Sequence, residues 1–128
     1  MQISKGIIRA DILAAKQAIS CFEKDGIKDI KNIAAYHLQQ AAEKIIKYQI
    51  YKSSIEIDNR QIYTHDLRRL MRYAEEKEIA ITMPEYIKAH IDTITDWEAG
   101  SRYDVEFSVR IDVLKKCYDT VSEWEKRI

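Results

Sequence analysis

The apolar residues of this chain recur at helical rather than strand spacing, and the richest run lies between Ala34 and Tyr51. On a helical projection, Ala34, Ala35, Leu38, Ala41, Ala42, Ile45, Ile46 and Ile50 fill an arc of roughly 200°, wider than the roughly 100° stripe of a helix with one buried side. A helix of this kind must touch neighbours on more than one flank, so it is expected at the centre of the fold. Its remaining arc carries Tyr36, His37, Gln40, Glu43, Lys44, Lys47 and Tyr51. That polar strip is where a binding surface is expected.

Four further helices are predicted around it. From Lys5 to Lys24, residues Ile7, Ile8, Ile12, Ala15, Ala18, Ile19 and Phe22 keep one face, and Gly26 supplies the left-handed stop that only glycine adopts without a Cβ clash. The central helix spans Lys28 to Lys52 and is followed by a polar loop from Ser53 to Asn59. Thr64 or Asp66 caps a third helix that turns Leu67, Leu70, Met71 and Ala74 inward until Ile79, with Arg68, Arg69 and Arg72 opposite. Pro84 opens a fourth helix at the position where its missing N–H loses nothing; Ile87, Ile91, Ile94 and Trp97 are its buried stripe and Gly100 its stop. A long fifth helix runs from Val105 to Arg127 on Phe107, Ile111, Val113, Leu114, Cys117, Tyr118, Val121 and Trp124. Strand signals are nearly absent, which predicts an all-α, antiparallel, up-and-down bundle of about five helices in one domain.

Composition narrows this picture. At 128 residues the chain fits one core, burying about two-thirds of its unfolded surface. Lys plus Arg and Asp plus Glu each number 21, so no global basic field advertises a polyanion, and any such site must be local. Cys21 and Cys117 sit far apart in apolar helical patterns, which predicts buried reduced thiols. His37, His65 and His90 have no metal-ligand spacing, and no metal or cofactor is expected. Charges interrupt the apolar residues of the N-terminus, so neither a signal peptide nor a membrane span is read there, and a cytoplasmic protein is expected.

Three segments then carry a resemblance. His37, Gln40, Ala41, Glu43, Lys44 and Lys47 stand as H-x-x-Q-A-x-E-K-x-x-K, Thr64-His65-Asp66-Leu67 opens the third helix, and Ser101-Arg102-Tyr103 follows the fourth. In this order, over nearly the whole chain, they resemble the HEPN domains (higher eukaryotes and prokaryotes nucleotide-binding). The resemblance implies a helical bundle that forms a homodimer and either works beside a small nucleotidyltransferase in a toxin–antitoxin-type pair or serves as an RNA- or nucleotide-binding module. Active members of the family resemble one another in a late Arg followed, after four to six residues, by a His, and cleave RNA without metal. Arg102 occupies the late position here, but no His follows it.

Arg60 and His65 do show the spacing, at the entrance to the third helix, where the resemblance gives His65 another place. The pair is therefore read as coincidence, and no catalytic residue is assigned. A metal-independent endoribonuclease using Arg60 and His65, or a composite site across a dimer, is the alternative. A helical adaptor without ligand is a third reading.

Each candidate also has a bland role. Glu43 and Lys47 at i and i+4 fit a surface pair worth about 0.3–0.5 kcal/mol. Arg102 fits a cap on helix carbonyls, a partner of Asp104 or Asp66, or a phosphate ligand. Arg68, Arg69 and Arg72 are offset by Glu75, Glu76 and Glu78, the two tryptophans and most of the eight tyrosines fit core or interface positions rather than base stacking, and His90 fits a partly buried packing position. The favoured reading is non-catalytic nucleotide or RNA binding through His37, Gln40, Lys44, Lys47, His65, Arg102 and Tyr103.

Overall fold

A computed structural model describes residues 3–53 and 55–128. Met1, Gln2 and, within the expected loop, Ser54 lie outside the described residues. Helix α1 (Lys5–Asp25) starts at Ser4, whose hydroxyl accepts the Ile7 N–H, and ends at Gly26 with φ 72°, the left-handed stop that its glycine predicted. Helix α2 (Lys28–Lys52) has no side-chain cap at Ile27. Packing holds it instead. A single turn, α3 (Asn59–Ile62), is capped by Asp58. At α4 (Leu67–Glu76) both cap candidates act: Asp66 accepts the Arg68 and Arg69 N–H groups, while Thr64 accepts the N–H of Asp66. The short α5 (Glu85–Ala89), then α6 (Ile91–Tyr103) and α7 (Ile111–Lys126), complete an all-helical bundle, and no strand occurs among the described residues.

The second helix is the axis of the fold. It packs against α1, α4, α6 and α7. Every apolar residue of its wide arc, from Ala34 to Ile50, is fully buried. The alanines on that arc let neighbouring backbones approach closely, while Ile45, Ile46 and Ile50 each contribute about 1.5–3 kcal/mol by burial.

Elsewhere the boundaries move, each for a tertiary reason. The loop after α2 holds the unexpected α3. The expected fourth helix is two, broken at His90, where φ is −118°. Gly100 does not stop it: α6 runs through to Tyr103, and the glycine is there because a Cβ would lie 2.6 Å from the Phe107 ring. The last helix begins at Ile111 rather than Val105, because residues 104–110 cross the surface with Val105 90% exposed while Phe107 folds back onto Gly100. The third helix ends at Glu76 rather than Ile79, with Glu78 at φ 57°. His90 is exposed, not partly buried, with its ring stacked 4.4 Å from that of Tyr86.

Both cysteines are free. Cys117 is buried as expected, and desolvation pushes its thiol up to about 12. Cys21 is only partly buried. No helix among the described residues is long and apolar enough to cross a membrane.

Gly100→Ala sets two effects against each other. Removing a glycine from a helix interior gains about 1 kcal/mol, whereas forcing a methyl group against a packed ring costs about 1–3 kcal/mol. A net loss of about 1 kcal/mol is expected in urea unfolding, and a more stable variant would show that Phe107 does not require this glycine.

Candidate functional site

The polar strip of α2 does not project freely into solvent. His37, Gln40, Lys44 and Lys47 recur at helical spacing, which lines them along one side of α2, and carboxylates rise to meet them from the interior. Asp11 of α1, only 7% exposed, stands between two of them: its Oδ1 lies 2.8 Å from His37 Nδ1, and its Oδ2 accepts Lys44 Nζ at 2.6 Å. Glu43, 4% exposed on α2 itself, accepts Lys47 Nζ at 2.8 Å and lies 2.8 Å from His65 Nδ1. Glu98 of α6 pairs with Arg102 and lies 3.7 Å from His65 Nε2.

Two amides close the gaps. Gln39 donates to Glu43 at 3.2 Å and to the His65 carbonyl at 2.9 Å, and Gln40 donates to Gln39 at 2.7 Å. The charge balance is simple. Asp11, Glu43 and Glu98 are each held by one permanent cation, Lys44, Lys47 and Arg102 respectively. Each carboxylate also touches an imidazole. With both imidazoles neutral the network carries no net charge.

Two clefts open on it. One, of about 400 Å³, is lined by Asn32, Tyr36, His37, Ser101, Arg102 and Asp104, with Asp29, Ile33 and Val105 at its edge. The Arg102 guanidinium donates to the Glu98 carbonyl at 3.2 Å and stacks on two rings, with its carbon 5.5 Å from Tyr36 and 4.8 Å from Tyr103. The Asn32 side-chain oxygen, buried beside this cleft, has no hydrogen-bond partner. The other cleft, of about 550 Å³, sets Glu43, Lys44 and Lys47 among the apolar Ile3, Ile7, Ile62 and Tyr63, with Tyr51 and Asn59. Desolvation raises the Tyr51 phenol above its ordinary range, so it serves there as a neutral donor.

The sequence-predicted residues are thus brought together, but in altered roles. His37, Lys44, Lys47, His65 and Arg102 belong to one network. Gln40 is buried and spans Gln39 rather than solvent, whereas Tyr103 is exposed at the rim. The Glu43–Lys47 pair is buried rather than superficial. Arg102 takes Glu98, not Asp104 or Asp66, as its partner. Arg60 is not part of the network: it is paired with Asp58, its side chain 91% exposed, and its side-chain hydrogen bonds hold the Asp58 carboxyl below the usual range. Arg68 likewise is matched by Asp92 at 2.9 Å rather than by the glutamates that follow it.

Asp11, Gln39 and Glu98 were missed, although two left a readable signal. Asp11 sits with Ile8, Ile12 and Ala15, and Glu98 with Ile91 and Ile94, each an acid inside an otherwise buried helical arc. Among the described residues no group of three or more His, Cys, Asp or Glu is placed to hold a metal ion.

The fold and site together define a small all-helical domain whose central helix carries a buried, charge-matched seam between two clefts. The family profile of the HEPN domain matches residues 12–126, and the chain belongs to that family. A nucleotide- or RNA-related role in general follows from the membership. No curated protein and no solved structure gave a match.

The network makes one stability prediction. Glu43→Leu strips the acceptor from Lys47, His65 and Gln39, and breaking a buried pair from one side costs about 3–5 kcal/mol. Glu43→Gln keeps part of the hydrogen bonding and should lose less. Urea titration of both variants tests this, and equal stability of Glu43→Leu and the parent would refute it.

Proposed function

We propose that the chain is a non-catalytic HEPN module that binds single-stranded RNA, or a nucleotide within it, along the half-buried polar strip of α2. The observation that carries this is the placing of His37 and the stacked Arg102 on one cleft, with Lys44 and Lys47 on the other. Ten residues separate His37 from Lys47, about 15 Å along a helix. That span favours a strand over a mononucleotide, because stacked nucleotides advance about 3.4 Å each. Tyr36, Tyr103 and Tyr63 offer rings at the two ends, and base stacking on such rings is tolerant of sequence.

A homodimer supports the same surface. Exposed Ile33 and Val105 beside one cleft, and Ile7 and Tyr63 beside the other, leave apolar area at both ends of the strip that a second copy would cover. A small nucleotidyltransferase is the proposed partner, on the strength of the family, and an adjoining reading frame for one would test that pairing. Against the ribonuclease alternative stand the absence of a histidine after Arg102 and the separate engagements of Arg60 with Asp58 and His65 with Glu43.

Chemical-shift titration with AMP and with a single-stranded RNA octamer tests the reading. The octamer is expected to perturb residues on both clefts and to remain uncut in chelator. Stacking of a base on such a platform is worth about 1–3 kcal/mol, so Arg102→Ala, which removes the guanidinium stacked on Tyr36 and Tyr103 and leaves Glu98 without its cation, should weaken octamer binding about tenfold. No perturbation at millimolar ligand leaves the adaptor reading, and cleavage leaves the ribonuclease.

A further inference from the structure

We infer that RNA binding at this site is driven by proton uptake: His37 and His65 supply the positive charge that the paired lysines and Arg102 do not. The inference rests on the binding reading above and concerns how that same site is regulated.

The argument begins with the charge balance. Proteins that hold a phosphate chain ordinarily present an excess of cations, whose gain is the release of counterions from the nucleic acid. Here each permanent cation of the strip already has a carboxylate within hydrogen-bond distance. Those carboxylates cannot leave. Asp11, Glu43 and Glu98 are buried, so removing a cation from one of them to serve a phosphate would strand a charge in the interior. The other charges near the first cleft do not help, since Asp29 and Asp104 at its edge are both acidic. Around His65 the neighbouring helix starts on Asp66, engaged as a cap, and Arg68 is tied to Asp92. Tyr36 and Tyr103 bring rings to Arg102 but no cation.

Within the network itself the imidazoles are the remaining source. Histidine is the side chain that ordinarily gains charge between about pH 5 and 8. His37 meets Asp11, and His65 meets both Glu43 and Glu98, so a proton on either ring is received by a carboxylate already in place. Neither ring is closed off: the His65 side chain is 59% exposed and that of His37, 29% exposed, faces the first cleft. Protonating both changes the network from neutral to doubly positive with no rearrangement of the helices. A bound phosphodiester favours that protonated state, so by linkage binding draws in protons and tightens as pH falls. The third histidine, His90, lies outside the network against Tyr86 and serves as an internal control.

The test uses a single-stranded RNA octamer pool with hydroxyl ends, because a terminal phosphate itself titrates near pH 6. Calorimetry of the full chain in buffers of different ionisation heat counts protons taken up without any substitution. Between pH 7.5 and 6.0 the affinity is expected to rise about tenfold with net proton uptake. His37→Gln and His65→Gln, which keep a hydrogen-bond donor but not the charge, should each diminish that uptake, and His90→Gln should not. Binding that is flat with pH, or a pH dependence that survives both site substitutions, would overturn the proton linkage and leave the binding reading intact. Failure to bind at any pH would overturn both.

Discussion

Three of the four buried carboxylates, those gathered against the central helix, set the terms for the rest of this molecule. Moving an ion from water into a protein interior costs several kcal/mol even after relaxation, and only a partner at hydrogen-bond distance offsets it. Asp11, Glu43 and Glu98 therefore dictate where Lys44, Lys47 and Arg102 must be. They also tie the helices in register. Asp11 of α1 grips α2 through His37 and Lys44, almost two helical turns apart, and His65 connects the start of α4 to α2 through Glu43 and to α6 through Glu98. These two contacts from one buried carboxylate add a fixed register to the apolar packing of α1 on α2.

This bears on what was legible in the sequence. The hydrophobic arc of α2 could be read without error, because a helix buried on several sides leaves no alternative place for eight apolar residues. The glycine and aspartate caps at Gly26 and Asp66 were readable for the same local reason: the backbone conformation or the orphan N–H groups need those side chains. Boundaries decided by contacts remote in sequence were not. Nothing near Gly100 announces that it faces a phenylalanine seven residues on, and the chain between Tyr103 and Ile111 has helical periodicity that its packing overrides.

The site divides along similar lines. Its cations and imidazoles were visible, since basic groups at helical spacing stand out beside an apolar arc. Their partners were not, because an acid within a buried pattern is easily taken for an exception at the edge of the stripe. That omission changed the physical picture: a strip of free donors became a neutral, mutually satisfied seam. Lysines that look available from spacing alone are engaged with buried carboxylates.

The seam also joins the two clefts. Glu43 and Lys47 line one, Arg102 and His37 the other, and a path of polar contacts between them runs through Glu43, His65 and Glu98, by a hydrogen bond at Glu43 and a 3.7 Å approach at Glu98. His65 lies at its middle, facing a carboxylate on each side. A change there alters both ends together, since losing its contact to Glu43 leaves Lys47 and Gln39 as that carboxylate's only partners, and losing its contact to Glu98 leaves Arg102 alone on the other. The residue that the T-H-D-L segment places at a helix entrance is thus, in three dimensions, the link between the carboxylates of two helices. Its importance comes from that position rather than from a partnership with Arg60, which points into solvent beside Asp58.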